Sequence, residues 1–242
     1  MTFTIAVAGK GGTGKTTIAG ILISKLDRVL AIDADPNSNL NEVLGVKVEH
    51  TVGCVREKVL EEPPGGMTKQ EYMKFQLNKS LVEADNFDLL AMGRPEGAGC
   101  YCYANNLIRN YIDFASKDYK FVVMDNEAGL EHLSRRTTNY VDVLLIVSDP
   151  TVRGIKTAAR VRDLSKEMKL KIGKIYLIVN RSVKMDSGLK ELITDLKLDL
   201  LAVLPEDEEI KKFDLQGKAL VELDEKNQVV REIEKLKEKM LK

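Results

Sequence analysis

Short, mainly apolar runs recur along the chain at Phe3–Ala8, Arg28–Ile32, Phe87–Met92, Phe121–Met124, Val141–Val147, Lys174–Val179 and Leu198–Leu204. Most are rich in Val, Ile and Leu and do not alternate with polar residues, the pattern of strands covered on both faces. Between them lie segments such as Ile155–Met168, whose apolar residues recur at helical spacing. This β-α-β-α rhythm predicts an α/β fold: a doubly wound, mainly parallel sheet of seven strands with helices on both faces. The last segment, Glu225–Leu241, places Val229, Val230, Ile233, Leu236 and Met240 on one face. Its opposite face mixes Glu with Lys and it has no aromatic residue, so it is expected to pack on its own fold rather than on a membrane. The stretch EEPPGG at 61–66 opens a polar, less regular insertion that runs to about residue 85. No repeat or linker divides the chain, which reads as one domain over residues 1–242.

In such a sheet, ligands bind beyond the carboxyl ends of the strands. The first strand is followed by GKGGTGKTT, residues 9–17, in which Gly9, Gly14, Lys15 and Thr16 satisfy G-x-x-x-x-G-K-[ST]. The chemistry needs that spacing. Gly9, Gly11, Gly12 and Gly14, with Thr13 between them, let backbone N–H groups wrap a phosphate without side-chain obstruction. Lys15 reaches the β- and γ-phosphates, the Thr16 hydroxyl can ligate Mg²⁺, and the helix entered at Thr17 points its positive end at the anion. An ATP or ADP site with Mg²⁺ follows, and ATP hydrolysis is the expected activity. The next strands also end in candidate groups. DADP follows Ile32, which places Asp33 and Asp35, although Asp-Pro is also a turn signal. Phe121–Met124 runs into Asp125, the Walker B pattern, where a carboxylate serves Mg²⁺, directly or through water.

Composition narrows the class. Lys+Arg and Asp+Glu both number 37, so no global field favours nucleic acid or a membrane surface. Arg153, Lys156, Arg160 and Arg162 are too few and too mixed with other residues to argue for DNA. The start MTFTIAVAGK reads as a strand and not as a signal peptide. Three cysteines, two of them in a CYC triplet, make a poor disulfide framework and point to a reducing cytoplasm.

The second lysine of the loop, Lys10, makes GKGGTGKTT resemble the deviant P-loop of the MinD/ParA/nitrogenase iron-protein class. The resemblance implies an ATP-dependent face-to-face homodimer in which Lys10 reaches the partner's nucleotide. It also implies that Asp33 lies near the metal and that Asp35 orients the attacking water. Asn180, after the strand Lys174–Val179, would hydrogen-bond adenine, and Pro205 would help to line the base pocket.

Cys100 and Cys102 lie in GRPEGAGCYCY, residues 93–103, whose glycines and proline read as a loop. Two thiolates are half of what tetrahedral Zn²⁺, square-planar Ni²⁺ or an iron–sulfur cluster needs. No His or further Cys stands nearby, and a two-fold dimer would supply the missing pair. A pair of buried or incidental cysteines is the plainer alternative. Cys54, in TVGCVREKVL, reads as a core thiol; His50 and His132 have no ligand spacing to any Cys and read as structural or surface residues. Deviant P-loop, C-x-C segment and NEAGLEHLSRR after Asp125 together resemble the CooC-type maturation ATPases. The resemblance implies a nickel-enzyme client, carbon monoxide dehydrogenase or acetyl-CoA synthase, and one Ni²⁺ or Zn²⁺ held by Cys100 and Cys102 of two chains. Two rivals stay open: an electron-transfer ATPase with a bridging iron–sulfur cluster, and a MinD/ParA-like positioning ATPase.

Overall fold

The structure, a computed structural model, describes residues 2–60, 63–94, 101–127, 140–182 and 184–242. Cys100, His132 and most of NEAGLEHLSRR lie outside the described residues. The described strands are β1 (Phe3–Gly9), β2 (Val29–Asp33), β3 (Leu81–Glu83), β4 (Phe87–Ala91), β5 (Phe121–Asp125), β6 (Val141–Ser148), β7 (Ile172–Val179) and β8 (Leu200–Val203). They form one sheet in the order β3-β4-β2-β5-β1-β6-β7-β8, parallel throughout except where β3 pairs antiparallel with β4.

The described helices are α1 (Lys15–Ser24), α2 (Leu40–Leu44), α3 (Val52–Leu60), α4 (Lys69–Lys79), α5 (Tyr101–Ala115), α6 (Val152–Glu167), α7 (Ser187–Asp195), α8 (Glu208–Gln216) and α9 (Gln228–Met240). They cover both faces, which is why the strands read as continuous apolar runs. Successive strand residues serve opposite cores. Ile5, Val7, Val29 and Ala31 pack with residues of α1 and α9, while Ala6, Ala8, Leu30 and Ile32 pack with residues of α5 and α6.

Five expectations need correction. The sheet has eight described strands rather than seven. The missed β3 is a three-residue antiparallel edge strand inside the polar insertion, too short to show a period. The same insertion contains α4, fixed by a capping box in which Thr68 accepts from the Glu71 N–H while the Glu71 carboxylate accepts from the Thr68 N–H. Arg28 stands outside β2 in the left-handed region at φ 55°. Cys102, read as a loop residue, falls in the first turn of α5, where its backbone alone is described. Cys54 is half-buried rather than a core thiol, with its Sγ 3.5 Å from the Thr51 hydroxyl.

The apolar face of α9 meets its expectation: Val229, Val230, Ile233, Leu236 and Met240 are all at most 2% exposed, so none is left to anchor the helix elsewhere. Ile233→Ala should cost about 2–5 kcal/mol of stability in urea denaturation, the range for emptying a packed aliphatic site. A change below the lower bound would mean that α9 is not part of the core.

Candidate functional site

β1 lies between β5 and β6, where the direction of sheet building reverses, and its carboxyl end opens into the crevice where α/β sheets bind ligands. The loop from Gly9 to α1 fills that crevice. Gly9 has φ 144°, and a Cβ there would sit 2.2 Å from the Val147 carbonyl oxygen on β6. Gly14 has φ 89°, and its Cβ would meet the Asn180 Nδ2 at 2.4 Å. Both positions require glycine for space as well as for backbone conformation. Gly14 is also the N-cap of α1 and supplies no side-chain cap, so the first-turn N–H groups face the loop without one. The Thr13 hydroxyl closes the loop on the Lys10 carbonyl at 2.8 Å, and Lys15 Nζ donates to the same carbonyl at 3.3 Å. Lys15 is buried and Lys10 exposed, so one cation lines the loop and the other stands outside it.

Two carboxylates lie beside this loop. Asp33 and Asp125 end adjacent strands in direct register, and Val7 of β1 pairs with Asp125 on the other side. Asp33 is wholly buried, and both its oxygens are engaged: Oδ1 accepts from the Asp35 N–H and Oδ2 from the Leu40 N–H, each at 3.0 Å. It thereby shapes the loop that holds Asp35. Burial pushes its carboxyl up to about 7; the Leu40 N–H opposes the rise and the charge of Asp125 adds to it. Asp125 is 2% exposed, and its Oδ1 has no partner among the described residues. Burial pushes Asp125 up to about 6, while the Thr16 hydroxyl and the Lys15 ammonium pull it down. A buried carboxylate oxygen without a donor costs free energy that a hard cation would recover. Thr16 and Asp125 are the oxygen donors that Mg²⁺ prefers.

Asn126 was not anticipated. It is buried, its Nδ2 donates to the Val7 carbonyl at 2.9 Å, and its Oδ1 is likewise unpartnered among the described residues. Its position directly after the Walker B aspartate was the available signal.

On the other side of β1, Asn180 and Pro205 line one cleft of about 260 Å³ with Thr17, Ile18, Asp207 and Ile210. Two residues expected at the base pocket thus meet beside the first turn of α1. The Asn180 amide is already in use, however. Its Nδ2 donates to the Thr13 carbonyl at 2.8 Å and its Oδ1 accepts from the Arg181 N–H at 3.0 Å. Arg181, left-handed at φ 59°, donates from its guanidinium to the Gly12 carbonyl at 3.1 Å. The turn after β7 therefore braces the phosphate loop from the side.

The family model for the CobQ/CobB/MinD/ParA nucleotide binding domain matches residues 4–221. The chain belongs to this family. It is 46% identical over 250 residues to an uncharacterized ATP-binding protein of Methanocaldococcus jannaschii, covering 98% of each chain. It is 34% identical over 244 residues to the carbon monoxide dehydrogenase accessory protein CooC of Rhodospirillum rubrum, covering 90% of this chain and 89% of that one. The MinD cell division protein of Aquifex aeolicus superposes with a TM-score of 0.72 at 25% identity, over 99% of this chain and 97% of that one. As a member of the CobQ/CobB/MinD/ParA family, the protein is a nucleotide-binding P-loop ATPase of α/β fold. No helix among its described residues is long and apolar enough to cross a membrane. Nor do three or more His, Cys, Asp or Glu among the described residues gather to hold a metal ion.

The raised carboxyls carry a stability prediction. Asp33 and Asp125 bind protons in the folded chain at pH values where the unfolded chain has released them. The stability of the nucleotide-free protein should therefore fall as pH rises from about 4 to about 7, the interval between the ordinary aspartate value and the raised ones. Asp125→Asn should flatten that slope in urea titrations at successive pH values. An unchanged slope would show that the buried pair does not set it.

Proposed function

We propose that the protein is an ATP-dependent metallochaperone that binds nickel at a dimer-interface C-x-C site and promotes its insertion into carbon monoxide dehydrogenase or acetyl-CoA synthase. One observation carries this reading. β4 ends at Ala91 on the same sheet edge as Gly9, Asp33 and Asp125, so the chain departs for Cys100 and Cys102 from the nucleotide edge itself. The similarity to CooC, an accessory protein of carbon monoxide dehydrogenase, supports the choice of client class.

The residues would divide the work as follows. Lys15 and the N–H groups around Gly14 bind the phosphates, and Lys10 of a second copy completes the charge around them. Thr16 and Asp125 would hold Mg²⁺, which supplies charge neutralisation on the β- and γ-phosphates. Asp35 orients the water for in-line attack, on a loop whose shape Asp33 maintains. Asn180 and Pro205 line the cleft for the base. Cys100 and Cys102 of two copies offer four thiolates to one metal ion, and a difference in its affinity between nucleotide states drives delivery. The homodimer would form with nucleotide and metal, in the cytoplasm, without nucleic acid or membrane as partner.

Lys15→Ala should abolish detectable ATP hydrolysis, and Asp35→Ala should keep nucleotide binding while losing turnover. Phosphate release together with fluorescent-nucleotide titration checks both. Equal loss of binding in the two variants would remove Asp35 from the role of orienting water.

The metal reading is tested by stoichiometry. A shared site binds one Ni²⁺ per dimer, half an ion per chain. Cys100→Ser and Cys102→Ser should each collapse binding, because symmetry removes two of the four thiolates at once. Thiolates must be deprotonated to bind, so affinity should also weaken as pH falls. Metal analysis giving one full ion per chain, or tight binding in either variant, would contradict the shared site. A brown iron–sulfur chromophore in anaerobically purified protein would favour the electron-transfer reading instead.

A further inference from the structure

The cleft that Asn180 and Pro205 line is bounded by the starts of two helices. Val229 of α9 reaches it, and the wall facing α1 is built from Pro205, Asp207 and the α8 residues Ile210, Lys211 and Asp214. The two helices differ in how they are held. α9 buries a full apolar face, whereas no residue of α8 is buried. Ile210 and Phe213 are half-buried, and Leu215 stands 89% exposed. A helix takes its position mainly from the face it buries, so packing alone fixes α8 only loosely.

Hydrogen bonds at its first turn supply what packing does not. Asp207 caps α8: its Oδ1 accepts from the N–H groups of Glu209 and Ile210, at 2.9 and 3.0 Å. Its Oδ2 accepts from Asn227 Nδ2 at 3.1 Å, and the same Nδ2 donates to the Glu209 carboxylate at 2.9 Å. Asn227 is itself the cap of α9, its Oδ1 accepting from the N–H groups of Val229 and Val230 at 2.9 and 3.3 Å. One buried amide therefore holds both helix starts at the cleft, α9 through its oxygen and α8 through both hydrogens of its nitrogen. Its orientation is determined, because the flipped amide would turn its oxygen on two carboxylates and its nitrogen on two N–H groups. Asp207 lines the cleft, yet its carboxylate is engaged by three N–H groups, so it shapes the wall and leaves the ligand to others.

We infer that Asn227 is a positioning residue for nucleotide binding: it holds Asp207 and Glu209 from the start of α9 and so sets where α8 stands against α1, across the cleft for the nucleoside. It touches no part of the nucleotide in this assignment. The phosphate loop has its own braces, from Asn180 to the Thr13 carbonyl and from Arg181 to the Gly12 carbonyl, and none of them passes through Asn227. Asn227 should therefore act on the nucleoside and leave the phosphates alone. The inference rests on the reading above that this cleft takes the base, and it is independent of the metal.

The test uses the full chain and two probes, Mg-ADP and Mg-pyrophosphate, of which the second has no nucleoside. Asn227→Ser keeps a hydroxyl to cap α9 and removes the two donors to α8. It should weaken ADP binding about tenfold, within the span of coupling between contacting groups, and leave pyrophosphate affinity unchanged. Asp207→Ser likewise keeps a cap on α8 and cuts the same link, so it should weaken ADP in the same way. The double variant should bind ADP no more weakly than the weaker single variant, because one link is cut twice. Ile210→Ala tests the cleft itself and should also weaken ADP and spare pyrophosphate. If Ile210→Ala leaves both affinities unchanged, the cleft does not take the nucleoside and the inference falls with that reading. If Ile210→Ala weakens ADP while Asn227→Ser keeps full affinity, the positioning role alone is overturned and the base cleft stands. Equal loss of ADP and pyrophosphate in Asn227→Ser, or full additivity in the double variant, would also overturn it, because the effect would then be a general loosening of the fold or two separate effects.

Discussion

The insertion of β5 between β1 and β2 is the constraint on which the site depends. It places Val7, Asp125 and Asp33 in one register row, with neighbouring strands about 4.8 Å apart. Two carboxylates are thereby buried side by side at the carboxyl edge of a parallel sheet. Both are buried from bulk solvent, so each needs hydrogen-bond donors or a cation. Asp33 finds backbone N–H groups in the loop that follows it and so gives that loop its form. Asp125 has the Thr16 hydroxyl and the Lys15 ammonium near it and keeps one oxygen without a donor among the described residues. The first carboxylate is spent on architecture; the second keeps its capacity for a ligand.

The other half of the sheet supplies rigidity from the opposite side. Gly9 lies against the Val147 carbonyl, and Asn180 and Arg181 hold the carbonyls of Thr13 and Gly12. The phosphate loop is therefore gripped by β6 and by the turn after β7 before any nucleotide arrives, so binding need not organise it. The loop carrying Asp35 is held differently, by side chains of partly exposed residues and by a left-handed serine. The phosphate loop is thus held by regular elements of the sheet, and the Asp35 loop by contacts between side chains and backbone outside them.

Much of this was legible in the sequence because burial on both faces forces a distinctive composition. β1, β4, β5 and β6 follow their apolar runs to within a residue or so of the ends. β3 was not legible: three residues of which none is fully buried carry no period, and only pairing with β4 defines them. The capping box at Thr68 and Glu71 was legible in principle, as T-x-x-E before a helical stretch, within a segment whose polarity suggested a loop.

The sequence by itself determined the class of chemistry. The glycines, Lys15 and Thr16 form a local motif whose function follows from backbone geometry over nine consecutive positions, and the apolar runs determined a parallel sheet to carry it. Tertiary structure decided how the dispersed carboxylates and amides divide their roles. That Asp33 serves the loop while Asp125 keeps an oxygen without a partner among the described residues depends on which N–H groups fold back within reach. That Asn180 braces the phosphate loop, and that Arg94 meets Asn37, depends on strand order. Hydrogen bonds between residues so far apart in the chain are set by the path of the backbone between them, and no local pattern of side chains encodes that path.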